Sequence, residues 1–115
     1  MSDTPQLSLP FLISSQAQKE ITHNEALSDL DCLVQLAVID QNLNVPPSSP
    51  SEGDAYIVGV SSTGLWSEKD LQIAYYYNGW RFKQPRGGWV CFVKDEVKFY
   101  VFVSGSWQLM NGYIS

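Results

Sequence analysis

The sequence predicts an α+β protein that consists of an N-terminal extended arm, one long helix and a small antiparallel β-meander module. Three observations lead to this fold class. The first half is rich in helix-forming residues, while all eight glycines follow residue 52. The second half consists of short apolar runs separated by turn residues. Each of the four tryptophans also lies one or two positions behind a glycine.

The glycine–tryptophan pairs predict tight turns between short strands. They are Gly64-Leu65-Trp66, Gly79-Trp80, Gly88-Trp89 and Gly105-Ser106-Trp107. Glycine adopts positive φ at little cost, and each tryptophan would then be the first bulky residue of the returning strand. Asn78-Gly79 is the strongest hairpin motif in the chain.

The predicted strands follow one another through short connections, as in a meander. They are Ala55–Gly59, Gln72–Asn78, Trp80–Lys83, Trp89–Val93, Val97–Val103 and Trp107–Met110. In the longest of them Phe99, Val101 and Val103 share an apolar face with Val97, while Tyr100 and Phe102 lie on the other face with Lys98. Both faces are therefore expected to be covered, either by the same chain or by a second copy.

The chain divides into four predicted segments: an arm over 1–14, a helix over 15–41, a proline-rich linker over 42–53 and a tryptophan-rich module over 54–115. Two prolines exclude a helix from the arm. Alternating apolar residues in the arm are expected to dock on a partner or on a neighbouring subunit. These residues are Leu7, Leu9 and Phe11.

The helix carries an apolar stripe that is expected to pack three copies of the chain together. The stripe contains Ile21, Leu27, Leu30, Val34 and Ala37. Its continuation through His23 is interpreted either as a polar layer at the subunit interface or as a solvated face. A catalytic or metal-binding role is the weakest interpretation of His23, because no nucleophile or further ligand stands at a suitable spacing.

Composition restricts the function. A net charge of −5 argues against nucleic acid as the main partner. No apolar run predicts a membrane span, and the N-terminus does not resemble a secretory signal. No motif for metal, cofactor or nucleotide binding is present, so we expect no enzyme and no cofactor. Cys32 and Cys91 are expected to be buried thiols, although the sequence leaves a disulfide between them open.

Aromatic residues are the main surplus of the second half. They either fill the core of a small sheet or present rings that stack on sugar or dock a protein. The candidates for a glycan or receptor contact are Trp66, Tyr75, Tyr77, Trp80 and Arg81. Arg81 belongs to a small basic cluster that is either a solvated strand face or a site for an acidic sugar or carboxylate.

Two blocks of the sequence resemble a known family. The first contains Leu9-Pro10-Phe11-Leu12, Gln16-Ala17-Gln18-Lys19 and Thr22-His23-Asn24-Glu25-Ala26-Leu27. The second contains Pro46-Pro47, Gly53-Asp54-Ala55-Tyr56-Ile57-Val58-Gly59 and several of the glycine–tryptophan pairs. Together they resemble an uncharacterised domain family of tail-fibre and related receptor-contacting proteins in phages, prophages and gene-transfer agents, mainly of alphaproteobacteria.

The resemblance implies a homotrimeric virion component that is made in the host cytoplasm and attached to other tail or baseplate proteins. The expected function is a tail fibre or fibre adaptor that contacts host surface polysaccharide. A stand-alone carbohydrate-binding module and a purely structural tail joint remain as alternatives. A small glycan-degrading enzyme is a further alternative, because two carboxylates from different turns are able to come together as the catalytic pair of a glycosidase.

Overall fold

The computed structural model describes residues 3–10 and 17–110, with side chains described for 3–10 and 24–110. The chain forms two compact units, Met1–Gln35 and Leu36–Ser115. The first unit contains one helix and the second is built from strands, most of them antiparallel. The predicted α+β class is therefore confirmed.

The helix, α1, is shorter than the sequence predicted. It spans Ala17–Leu33 and ends where Gln35 adopts a positive φ of 54°, the left-handed conformation that commonly terminates helices. The expectation that the helix continues to residue 41 is thus wrong. Consequently Val34 lies in the turn after α1, and Ala37 lies in a strand rather than on a helical stripe.

The described part of the N-terminal segment is a closed loop, not an extended arm. Asp3 and Pro10 form an antiparallel bridge, and the Thr4 amide donates to the Leu9 carbonyl at 2.9 Å. Ser8 adopts a φ of 59° inside the loop. Residues 1–2 and 11–14 of the predicted arm lie outside the described residues, and so does Phe11.

The second unit contains two sheets. Their strands are β1 Ala37–Val38, β2 Ala55–Ile57, β3 Ile73–Tyr76, β4 Trp80–Lys83, β5 Val90–Val93, β6 Lys98–Val103 and β7 Ser106–Leu109. One sheet has the order β2-β3-β4 and the other β1-β5-β6-β7. Each sheet thus contains a three-strand meander, while β1 adds a parallel pair with β5 that the sequence did not predict.

The segment expected to be a linker is hydrogen-bonded into the second unit. Gly59 donates its amide to the Leu43 carbonyl at 2.7 Å, and Thr63 donates to the Asn44 carbonyl at 2.9 Å. Upstream of it, Asp40 pairs with Tyr56. The boundary between the two units therefore lies at residue 35, before this segment, and not within residues 42–53.

The turns agree with the glycine pattern. All four of the glycines that precede a tryptophan have positive φ: Gly64, Gly79, Gly88 and Gly105. Trp80 opens β4 and Trp107 lies at the start of β7, as expected. Trp66 instead ends a short 3₁₀ helix, Gly64–Trp66, so it is not part of a strand.

Candidate functional site

Two of the four aromatic residues expected to contact a ligand lie in the core. Trp66 is fully buried and Tyr75 is 3% exposed, so neither ring is able to stack on a sugar. Trp66 packs edge-to-face on Trp80 with ring centroids 5.2 Å apart, and Tyr76 packs edge-to-face on Trp80 at the same centroid distance. The expectation of exposed rings therefore does not hold for Trp66 and Tyr75.

The remaining candidates lie at the β3–β4 hairpin. Tyr77, Trp80 and Arg81 are half-buried, and the Arg81 Nε donates to the Tyr77 carbonyl at 2.9 Å. The Asn78 amide at the turn donates to the Glu52 carboxylate. The structure thus places these three candidates at one hairpin. Tyr75 lies opposite Arg81 in the same strand pair and Trp66 packs on Trp80, but both of these side chains are buried.

The candidate oligomer residues lie in different environments. Leu30 is 49% exposed and Val34 is 40% exposed, while Leu27 is half-buried. The buried face of α1 is instead formed by Ser28, Asp31 and Cys32, which are spaced three and four residues apart as one helical face requires. The side chains of Ile21 and His23 lie outside the described residues.

Asp31 fastens the N-terminal loop to α1. Its carboxylate accepts hydrogen bonds from Thr4 Oγ1 at 2.6 Å, from the Gln6 amide at 2.8 Å and from the Leu7 amide at 2.5 Å. The Thr4 hydroxyl also accepts from the Leu9 amide at 2.9 Å. Leu7 and Leu9, the candidate partner-docking residues, are half-buried on this fixed loop.

One face of the β1-β5-β6-β7 sheet is apolar and partly exposed. Strand register places Val90 opposite Val101 and Phe92 opposite Phe99 on this face. Val90 is 42% and Phe99 43% exposed, while Cys91, Val93 and Phe102 on the opposite face are buried. The chain itself therefore does not cover both faces of β6, and cover of the exposed face by a second copy stays a prediction. Val97, which was expected on the apolar face, precedes β6 with a φ of 56° and is exposed.

A depression partly lined by the predicted linker was not expected from the sequence. Its volume is ≈ 310 Å³, and its lining residues are Gln41, Asn42, Asn44, Gly59, Val60 and Leu71. The run from residue 41 to 44 is rich in carboxamides, but its position before three prolines favoured a linker interpretation. Only the pairing of residues 39–44 with β2 and the following loop makes it part of a surface.

A hydrogen-bond relay fixes one wall of this depression. The Tyr100 hydroxyl donates to Glu96 Oε1, and Gln41 Nε2 donates to Glu96 Oε2 at 2.9 Å. These two hydrogen bonds lower the pKa of Glu96, and the bond from Tyr100 has the larger effect. The same hydrogen bond, which Tyr100 donates to Glu96, raises the pKa of Tyr100.

Carboxylates surround the same region. Burial raises the pKa of Asp95, and the charges of Asp40 and Glu96 add to that effect. Hydrogen bonds from Ser62 and Ser61 lower the pKa of Asp70. Among residues 3–10 and 17–110, no group of three or more His, Cys, Asp or Glu side chains is arranged to hold a metal ion.

The two cysteines form no disulfide, and both are buried. Burial raises the pKa of the Cys91 thiol to about 12. A thiol with this pKa is almost entirely protonated near neutral pH and is therefore a poor nucleophile.

The fold and the surfaces described above define an α+β protein with a small helical unit and a two-sheet β unit. Residues 23–108 match the model of a family described as a protein of unknown function, DUF2793, and the chain belongs to this family. No curated protein and no solved structure shows significant similarity to the chain. Within the described residues, no helix is both long and apolar enough to cross a membrane.

Proposed function

We propose that this protein is a structural component of a phage-like tail, either a fibre or a fibre adaptor, and that it assembles as a homotrimer. The two sequence blocks that resemble tail-fibre proteins support this proposal. In this proposal the protein is made in the host cytoplasm and incorporated into the virion. It contacts other tail or baseplate proteins through the loop that carries Leu7 and Leu9.

The observation that carries the proposal is the amount of apolar surface left uncovered in one copy. Leu30 and Val34 are exposed at the end of the helical unit, and Val90 and Phe99 are exposed on the sheet. On the sheet, Val90 and Phe99 share one face, and contiguous exposed apolar surface commonly marks protein–protein interfaces. A second and third copy would cover this surface, as a trimer requires.

Light scattering coupled to size-exclusion chromatography tests the assembly. We expect a mass of three copies for the wild-type chain and a lower mass for Leu30→Asp or Phe99→Asp, because a charge in a closed apolar interface lacks a partner. Leu65→Asp is the matched control, since Leu65 is 74% exposed and lies outside both surfaces. A wild-type monomer at micromolar concentration would contradict the trimer.

Mass spectrometry of purified particles tests the location. We expect the chain in tail-containing particles and its absence from particles of a strain that lacks its coding sequence. Binding of the purified trimer to host cells, measured by fluorescence, tests the receptor contact separately. Presence in the particle without cell binding would favour the purely structural joint.

The structural joint is the second candidate function, because no indole ring is fully exposed: one is buried and three are half-buried. Trp66 has no exposed surface, and Trp80 packs against Tyr56, Trp66 and Tyr76. A joint without receptor binding needs these rings only for packing. Fluorescence quenching by iodide measures ring exposure, and strong quenching of several tryptophans would weigh against this candidate.

A further inference from the structure

We propose that the depression lined by Gln41, Asn42 and Asn44 is a binding site for a neutral oligosaccharide. This inference rests on the proposed contact with host glycan and assigns it to a particular surface. It moves the contact away from the aromatic residues that the sequence favoured. The lining contains three carboxamides, a glycine and the aliphatic residues Val60 and Leu71, with no ionisable side chain among them.

The carboxamides are suited to sugar hydroxyls. Each one carries an acceptor oxygen and donor N–H groups, so it pairs with a hydroxyl acting as donor, as acceptor or as both. Asn42 and Asn44 are exposed, and their side-chain amides have no hydrogen-bond partner within the described residues. Val60 and Leu71 offer aliphatic surface for the C–H face of a sugar ring.

The site is preorganised on the Gln41 side. Glu96 accepts from Gln41 Nε2 and is itself held by the Tyr100 hydroxyl. One N–H donor of the Gln41 amide is therefore engaged with Glu96, while the amide oxygen is able to accept from a sugar hydroxyl. Glu96 acts as a positioning residue, since a ligand would not need to order this side chain on binding.

The backbone around the depression is fixed as well. Gly59 donates to the Leu43 carbonyl, and Asn44 accepts from the Thr63 amide. The backbone amide of Asn42 donates to the Asp40 carboxylate at 2.6 Å. These hydrogen bonds connect the 41–44 segment to the residues on the other side of the depression and order its own backbone.

The surrounding charge selects against acidic sugars. The Asp40 carboxylate accepts a hydrogen bond from the backbone amide of Asn42, and the Glu96 carboxylate accepts one from the Gln41 side chain. The Asp70 carboxylate accepts hydrogen bonds from the backbone amides of Ser61 and Ser62, which directly follow Val60. Asp95 lies close enough to Asp40 and Glu96 for their charges to affect its pKa. Lys98 also acts on Glu96, but the four carboxylates outnumber this cation and produce a net negative field that repels anions, so the site favours neutral saccharides over those with carboxylate or sulfate groups.

The test titrates the isotope-labelled full-length protein with four oligosaccharides and records amide spectra by NMR. Maltotriose and triacetylchitotriose are the neutral probes, and sialyllactose and trigalacturonate are the acidic ones. We expect at least one neutral probe to shift the side-chain amide signals of Gln41, Asn42 and Asn44. We expect neither acidic probe to shift these signals.

Variants then assign the site. The Asn42→Ala/Asn44→Ala double variant should raise the dissociation constant of the neutral probe about tenfold or more, because it removes two hydrogen-bonding groups. Gln84→Ala is the matched control, since Gln84 is also an exposed carboxamide but lies outside the depression. It should bind like wild type, and circular dichroism should show that both proteins remain folded.

The positioning role of Glu96 has its own readout. Glu96→Ala should shift the Gln41 side-chain signal without ligand and weaken binding. Glu96→Gln keeps an acceptor oxygen for Gln41 and should retain more of the affinity. Equal binding by both variants and wild type would remove Glu96 from the inference.

The outcomes separate this inference from the proposed function. Neutral-saccharide binding that survives the double variant overturns the site but supports a glycan contact elsewhere. Preference for an acidic probe, or binding of a host protein at this depression in place of any saccharide, overturns the inference. If no probe binds while the mass of three copies is measured, the saccharide site fails and the structural assembly remains.

Discussion

Gly59 shows why one small residue is required in the second unit. A Cβ atom at this position would lie 2.9 Å from the Leu43 carbonyl oxygen, which is a backbone atom and unable to rotate away. Gly59→Ala should therefore push the 41–44 segment from its place and lower the free energy of unfolding by about 1–3 kcal/mol. Urea denaturation measures this change.

Gly87→Ala is the matched control for this prediction. A Cβ atom at Gly87 meets no atom within 4 Å, and its φ is not in the left-handed region. It should unfold at the wild-type urea concentration or slightly above it, because alanine restricts the unfolded chain. A Gly59→Ala variant as stable as Gly87→Ala would contradict the close approach.

The raised pKa of Asp95 leads us to expect that the stability of the fold depends on pH. Its pKa is raised above 3.8 in the folded state by burial and by Asp40 and Glu96, so the folded state binds the proton more tightly. The stabilising contribution is complete below 3.8 and is lost as the pH rises through the raised folded value. Near neutral pH the Asp95 carboxylate therefore destabilises the fold.

Asp95→Asn should raise the urea midpoint near neutral pH, with a smaller gain in acid below the ordinary pKa of the carboxyl. Added salt should also reduce the gain, because the repulsion from Asp40 and Glu96 is screened. Glu25→Gln, at an exposed position on α1, serves as the control for a loss of one negative charge. An equal gain in both variants would show that net charge, not local repulsion, is responsible.

At the scale of single elements, α1 shows where sequence patterns are insufficient. Residues 34–40 continue the apolar spacing of a helix, yet β1 begins at Ala37 because Val38 and Ile39 are β-branched and Val38 is completely buried beside β5. Pairing with a strand more than fifty residues away decides this segment, and local periodicity does not contain that information. The turns were predictable, because the conformation of Asn78-Gly79 is a local property.

The N-terminal loop is an element held by one carboxylate. Asp31→Ala removes the carboxylate that accepts three hydrogen bonds. The Thr4 hydroxyl and the backbone amides of Gln6 and Leu7 then lose this acceptor. Since a hydrogen bond to a charged group contributes about 1.5–3 kcal/mol, we expect the loop to detach from α1. Hydrogen exchange at the Gln6 and Leu7 amides should accelerate strongly, while exchange in β3 and β6 should not change.

Asp31→Asn provides a graded comparison, because its amide oxygen still accepts one or two of these bonds. Its exchange rates at Gln6 and Leu7 should lie between those of wild type and Asp31→Ala. If the alanine variant exchanged at wild-type rates, the loop would be held by other contacts.

For the whole molecule, the boundary at residue 35 is a testable property of the chain. A fragment of residues 36–115 keeps β1 and the hydrogen bond from the Phe92 amide to the Leu36 carbonyl. We expect it to unfold cooperatively on its own. A fragment of residues 42–115, cut at the predicted linker, loses β1 and exposes Cys91 and Val93, so it should be markedly less stable.

Thermal circular dichroism of the two fragments measures this difference. Equal stability of both fragments would show that β1 contributes little and would restore the linker interpretation. The same comparison shows how much of the candidate site was accessible from sequence. The strands and their turns were predictable, but the depression was not, because it forms only where residues 41–44 meet Gly59 and Leu71.

The parallel pairing of β1 with β5 also constrains synthesis on the ribosome. Leu36 and Val38 receive hydrogen bonds from the amides of Phe92 and Lys94, which are translated more than fifty residues later. Closing so long a loop is slow compared with local hairpin formation. A nascent chain thus carries β1 as an unpaired apolar strand until β5 has emerged, so copies that associate through the completed second unit do so only after β5 of each chain has been translated.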